Sequence, residues 1–183
     1  LKIPFSPYLY RHFEQTDPVY FFTYYVKNIA MPQTTKNSRI IHAPVEKVFE
    51  AFSNAKALEA WLAPSDMVGK VHNFNFRAGG GYTMSLFYPE SEVNAKGKTA
   101  GKEDKFSSRY IEIIPNKKIV EAVNFETNEP DFAGEMIMEV TFASHQDGTE
   151  VTFHFKNIPR GIKPEDNEAG TISTLEKLAA FVE

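Results

Sequence analysis

The sequence predicts an α+β domain in which a curved antiparallel sheet wraps around one long C-terminal helix. Three observations predict it. Apolar residues recur at helical spacing in two short stretches early in the chain and in one longer stretch at its end. Between them, from Val71 to Phe155, they recur at every second position. The strand-like stretches follow one another with turns and no helices between, which segregates the helices to one face of an antiparallel sheet.

Thr35 to His42 reads as the first strand, stopped at Ala43-Pro44. Pro44 suits the first turn of a helix, and Val45, Val48, Phe49 and Phe52 follow at helical spacing. Asn54 is placed to cap a second short helix carrying Leu58 and Trp61 as an i, i+3 pair, which Pro64 ends. From Val71 the period is two: Phe74 and Phe76 alternate with Asn73 and Asn75. Gly79-Gly80-Gly81 marks a turn or bulge, after which Tyr82, Met84 and Leu86 alternate with Thr83 and Ser85. Tyr88 to Asp104, polar and containing Gly97 and Gly101, reads as a loop.

Phe106 to Ile114 and Lys118 to Phe125 are strands around a Pro115-Asn116 turn. Met136, Met138, Val140 and Phe142 then share one face, opposite Glu135, Ile137, Glu139 and Thr141. Asp147-Gly148 is a hairpin signal, and Val151, Phe153 and Phe155 alternate with Thr152, His154 and Lys156 beyond it. Pro164, Glu165 and Asp166 open the last helix, with acids where the helix dipole favours them. Its apolar stripe is Ile172, Leu175, Leu178, Ala179 and Val182.

With 183 residues, 42% of them hydrophobic, the chain can bury one substantial core. A net charge of -4 supplies no electrostatic reason to expect nucleic acid as a partner. The chain has no cysteine, which excludes disulfides, thiolate nucleophiles and Cys-ligated zinc; the expected location is the cytoplasm. No apolar run approaches the roughly 20 residues that span a bilayer. Residues 1–30 stand apart: they are rich in Phe, Tyr and Pro, carry no good signal-peptide pattern, and precede Met31. They read as an extension packed on the domain, as a partner- or membrane-touching arm, or as a stretch upstream of an ordinary start at Met31. The domain itself is expected over residues 31–183.

The candidate chemistry is sparse. A phosphate loop needs a helix after its glycines, whereas a strand follows Gly79-Gly80-Gly81, so a sheet bend is the better reading. His12, His42, His72, His145 and His154 have no metal-site spacing, and no metal or cofactor is expected. No Ser lies in a nucleophile-elbow context. Glu135 and Glu139 are expected to face solvent. Glu112, in phase with Tyr110 and Ile114, is the one catalytic candidate, on the condition that its face is buried. The inner face carries Phe, Tyr and Met, side chains that line pockets well. The candidate ligand-binding set is Trp61, Phe74, Phe76, Tyr82, Met84, Tyr110, Met136, Met138, Phe153 and Leu175, with Tyr82 and Tyr110 able to orient a polar ligand atom. The alternative is that these side chains fill a solid core. Ile111, Ile113 and Ile137 would lie on the outer sheet face and leave room for a homodimer.

Several stretches together carry a family resemblance: Ala43-Pro44 with Val48-Phe49; Ala57-Leu58 with Trp61 and Pro64; Gly79-Gly80-Gly81 before Tyr82 and Met84; Tyr110 to Pro115; Gly148 to Thr152; and Leu175 to Ala179. On these residues the chain from about Arg39 to Glu183 resembles the START-like (SRPBCC, helix-grip) superfamily. Within it, the chain resembles in particular the group named after the C-terminal domain of the activator of the Hsp90 ATPase. The resemblance implies a helix-grip fold with a cavity between sheet and C-terminal helix. It implies binding of a small hydrophobic or amphipathic molecule without turnover; a chaperone-binding role toward Hsp90 and a cyclase- or hydrolase-like activity in the same cavity are the alternatives. Two departures fall at the expected cavity rim: a single Trp in Trp61-Leu62-Ala63-Pro64, and Gly170-Thr171 where many relatives carry Gly-Trp.

Overall fold

A computed structural model describes residues 33–183; the aromatic-rich segment 1–30, Met31 and His12 lie outside the described residues. In chain order the elements are β1 (Gln33–Ile41), α1 (Val45–Glu50), α2 (Ala55–Trp61), β2 (Val68–Asn75), β3 (Gly81–Phe87), β4 (Glu103–Ile114), β5 (Lys118–Phe125), β6 (Met136–His145), β7 (Gly148–Ile158) and α3 (Pro164–Val182). The seven strands form one sheet in the order β1-β7-β6-β5-β4-β3-β2, every neighbouring pair antiparallel. The first two strands are therefore its two edges. The chain must cross the sheet between them, and α1 and α2 make that crossing. From β2 to β7 it is a simple meander, and α3 packs back on β1, β7 and both short helices. This is the curved-sheet, long-helix α+β architecture that the periodicities predict.

Local chemistry explains the element ends. The Asn54 side chain accepts hydrogen bonds from the backbone N–H of Lys56 (2.9 Å) and Ala57 (3.3 Å), the cap expected of it. Pro44 sits at the N-cap of α1, one position before the expected first turn, and Pro164 opens α3 with Glu165 and Asp166 in its first turn. Gly79 and Gly80 lie in the β2–β3 turn, and Gly81 opens β3. Gly79 has φ +77°, and a Cβ on Gly81 would overlap the Ser108 carbonyl oxygen of β4. The absence of side chains lets β4 lie close enough for Gly79 N–H to reach the Tyr110 carbonyl at 2.8 Å.

β2 begins three residues earlier than the sequence pattern suggests, at Val68, and β4 begins at Glu103 inside the expected loop, because each pairs with an end of β3 (Val68 with Phe87, Glu103 with Phe87). On β6 the expected alternation holds: Met136, Met138, Val140 and Phe142 are buried, while Ile137, Glu139 and Thr141 are half-buried. On β4 it does not hold throughout. A bulge between Tyr110 and Glu112 shifts the phase by one residue. Tyr110 and Ile113 face the core, and Ile113 packs on it rather than on the outer face; Ile111 is exposed.

The core gathers Ile41, Val48, Phe52, Trp61, Met84, Tyr110, Val140, Val151, Phe153, Leu175 and Leu178 between the sheet and the three helices. Its aromatic rings meet edge-on, as Phe52 does with Phe142 (centroids 5.2 Å apart) and Phe76 with Tyr110 (5.1 Å). Among the described residues no helix is long and apolar enough to cross a membrane.

Candidate functional site: a cavity between sheet and helix

The two halves of α3 carry side chains of different size. Toward its C-terminal end Leu175, Leu178, Ala179 and Val182 fill the core. Toward its N-terminal end Asn167, Gly170, Thr171 and Thr174, spaced three and four apart, turn small groups to the same side. Small groups cannot reach the sheet, and a cavity of about 420 Å³ remains beneath them. Its floor is the inner face of the sheet: Tyr82 and Leu86 of β3, Asp104 and Phe106 of β4, Val123 and Phe125 of β5, Met136 and Met138 of β6, and Phe153 and Phe155 of β7. Period-two alternation aims each i, i+2 pair inward. The rim is completed by Leu62, Pro64 and Met67 after α2, and by Tyr88, Glu92 and Lys98 from the β3–β4 connection.

The rim after α2 is tied to the helix. Thr174 Oγ1 donates to the Leu62 carbonyl (3.2 Å), Lys177 Nζ to the Ala63 carbonyl (2.8 Å), and Ser65 N–H to Ser173 Oγ (2.8 Å). Burial lowers the Lys177 ammonium pKa. These bonds hold the last helix and the Pro64 turn as one wall.

Of the residues that the sequence places in a ligand site, Tyr82, Met136, Met138 and Phe153 line the cavity. Trp61, Met84, Tyr110 and Leu175 do not; they are packed in the solid core. Trp61 is fully buried against Phe52 (4.6 Å between centroids), its indole N–H donating to the Ala51 carbonyl at 3.0 Å. Phe74 and Phe76 stack on each other, partly buried against the core and off the cavity wall. Strand alternation and helical phase assign them all to the interior, but the interior is longer than the cavity, and part of it is closed completely.

The condition set for Glu112, a buried face, is not met. The bulge after Tyr110 turns it away from the core, and its side chain is 43% exposed and paired with Lys118 at 2.6 Å. Glu135 and Glu139 face outward as expected, paired with Arg109 (3.5 Å) and Lys156 (3.1 Å).

One buried carboxylate is Glu121 of β5, 2% exposed. Its Oε2 accepts from the Tyr82 hydroxyl at 2.9 Å and from the Ser108 hydroxyl. Burial pushes its pKa up to about 7, against the opposing effect of the two hydrogen bonds. Burial, and next the neighbouring Glu121, raise the phenols of Tyr82 and Tyr110 above their usual range. Glu121 therefore sits behind the wall that Tyr82 presents to the cavity, and holds that ring by its hydroxyl. Sequence reasoning missed it, although a signal exists: from Ile119 to Val123 it is the only polar residue, and it shares the phase of two core positions.

A second polar cluster forms part of the wall itself. Asp104 is 1% exposed. It accepts from the Lys98 backbone N–H (2.6 Å) and the Tyr88 hydroxyl (3.3 Å), and forms an ion pair with the Lys98 ammonium. That ammonium stands 5.5 Å from the centre of the Phe125 ring. Among the described residues no group of His, Asp and Glu is arranged to hold a metal ion.

A curved seven-stranded antiparallel sheet closed by a C-terminal helix, with a cavity between them, defines a helix-grip domain. The chain belongs to the family described as Activator of Hsp90 ATPase homolog 1-like protein, whose sequence profile matches residues 42–183. A crystal structure of a Chromobacterium violaceum protein is similar at 31% identity and a TM-score of 0.72, over 82% of this chain and 96% of that one. A Rhizobium leguminosarum protein (22% identity, TM-score 0.63, 82% and 94% covered) shares the fold. So does the solution structure of an AHSA1-like protein from Aeromonas hydrophila (16% identity, TM-score 0.61, 82% and 92% covered). No curated protein matches the chain.

Proposed function

We propose that the domain binds one small hydrophobic or amphipathic molecule, without turnover, in the cavity between the sheet and α3. The observation that carries this reading is the cavity itself: about 420 Å³, floored by aromatic and Met side chains, beneath a helix whose facing residues are small. A pocket of roughly 300–1,000 Å³ with an apolar lining and few polar groups is the usual form of a small-molecule site. Binding without turnover is favoured over catalysis because the carboxylate with the raised pKa, Glu121, is engaged by Tyr82 and Ser108 and lies off the wall.

The test is native mass spectrometry of the purified protein, with titration of Nile red, an uncharged dye that brightens in apolar surroundings. Thr171→Trp serves as the control, since it places a large ring where Thr171 now leaves space. A co-purifying apolar molecule, or saturable Nile red binding that Thr171→Trp abolishes while the circular dichroism spectrum stays the same, is the expected result. An empty protein with no saturable binding would overturn the reading. A protein-binding role toward an Hsp90-type chaperone, as the family's description suggests, would then be tested by direct binding.

A further inference from the structure

Resting on that reading, the wall charges of the cavity indicate what kind of head group it accepts. Lys98 is the one cation among the lining residues, which also include three carboxylates, Asp104, Glu92 and Asp166; of these Asp104 pairs with it. Asp104 is fully buried and in direct contact with the Lys98 ammonium, so the two charges cancel where a ligand would meet them. An ammonium has three N–H donors. One is given to Asp104, a second lies 3.5 Å from the Tyr88 oxygen, and the third has no acceptor at hydrogen-bond distance among the described residues. The side chain is 24% exposed, enough for a ligand atom to reach it.

We propose that the cavity selects an uncharged amphiphile, its carbonyl or ether oxygen accepting a hydrogen bond from Lys98 and its apolar body lying over Met136, Met138, Phe153 and Phe155. An anion of the same shape gains little. At Lys98 it would also stand beside Asp104, and the attraction of one is offset by the repulsion of the other. It would still lose its hydration on entering an apolar cavity. A primary amine meets the opposite obstacle, because the cation already bound to Asp104 repels it. A carbonyl oxygen needs only the spare N–H, and costs little to dehydrate by comparison.

The experiment is displacement of Nile red by methyl hexyl ketone, octanoate and octylamine, which have chains of equal length and differ in charge, at neutral pH. The ketone is expected to displace the dye at about tenfold lower concentration than either charged compound, because only the charged compounds give up the hydration of an ionised head group. Lys98→Met, which removes the donor and leaves Asp104 unpaired, is expected to abolish the ketone's lead over octylamine, read as the ratio of their displacing concentrations. Asp104→Asn, which uncovers the lysine charge, is expected to reverse the preference toward octanoate. The ranking in the wild-type protein needs no variant to fold. Octanoate or octylamine displacing as well as the ketone would overturn this inference and leave the cavity reading intact. Failure of Nile red itself to bind would remove the cavity reading and this inference together.

Discussion

Replacement of Glu121 by Gln tests the polar interior most directly. The carboxyl is buried, and its pKa rises from an ordinary 4.5 to about 7 because burial disfavours the charged form. Between those values the folded protein holds a proton that the unfolded chain has released. Its contribution to stability is therefore fully present below pH 4.5, falls as pH rises toward 7, and levels off above. At about 1.4 kcal/mol for each tenfold change in proton affinity, the ionised carboxylate costs the fold about 3 kcal/mol at alkaline pH. Gln keeps the shape and can accept from the same two hydroxyls but does not titrate. Urea unfolding of both proteins at a series of pH values is the assay. The two should be nearly equal in stability at pH 4.5, and the variant should gain about 3 kcal/mol over the wild type by pH 8. Taking the difference between the proteins cancels every other titrating group. A difference that stays flat across that range would refute the reasoning, since Glu121 would then ionise as freely in the folded protein as in the unfolded one.

Two further outcomes follow from packing. Gly81→Ala should cost more than about 2 kcal/mol in urea unfolding, because its Cβ would overlap the Ser108 carbonyl and push β4 from β3; a neutral substitution would show that the turn has room. Glu112→Gln should change stability by less than about 1 kcal/mol, as expected for a half-exposed ion pair with Lys118, and should leave Nile red binding unchanged. A loss of binding in that variant would return Glu112 to the site.

The sulfur and aromatic floor of the cavity explains why one sheet face serves as both core and binding surface. Met136 and Met138 lie on the same face of β6 as Val140 and Phe142. The first pair lines the cavity and the second pair packs in the core beyond it. What separates them is what lies above: the small residues Gly170, Thr171 and Thr174 border the cavity, whereas Phe49 of α1 and Phe52 after it meet the Phe142 ring at 5.6 and 5.2 Å.

The sequence by itself determined the elements, their order and most of their inward faces, because hydrophobic period, caps and turn glycines act within a few residues of one another. Asn54 capping α2, the glycine turn before Tyr82, and the Met136–Phe142 alternation were all legible for that reason. Family membership was legible too, since it rests on such local stretches in a fixed order. Only the tertiary structure decided which inward residues line a space and which fill one. Met84 and Tyr110 have the same alternation as Tyr82 and Phe153, and Leu175 the same helical phase as Thr171; they differ in what lies opposite. The bulge after Tyr110 also escaped local reading; one inserted residue turned Glu112 outward, and the buried acids are Glu121 of β5 and Asp104 of β4. The Lys98–Asp104 pair joins a loop to a strand, and no periodicity encodes such a contact. Strand phase is a property of neighbours along the chain, whereas a cavity is a property of surfaces brought together from distant parts of it.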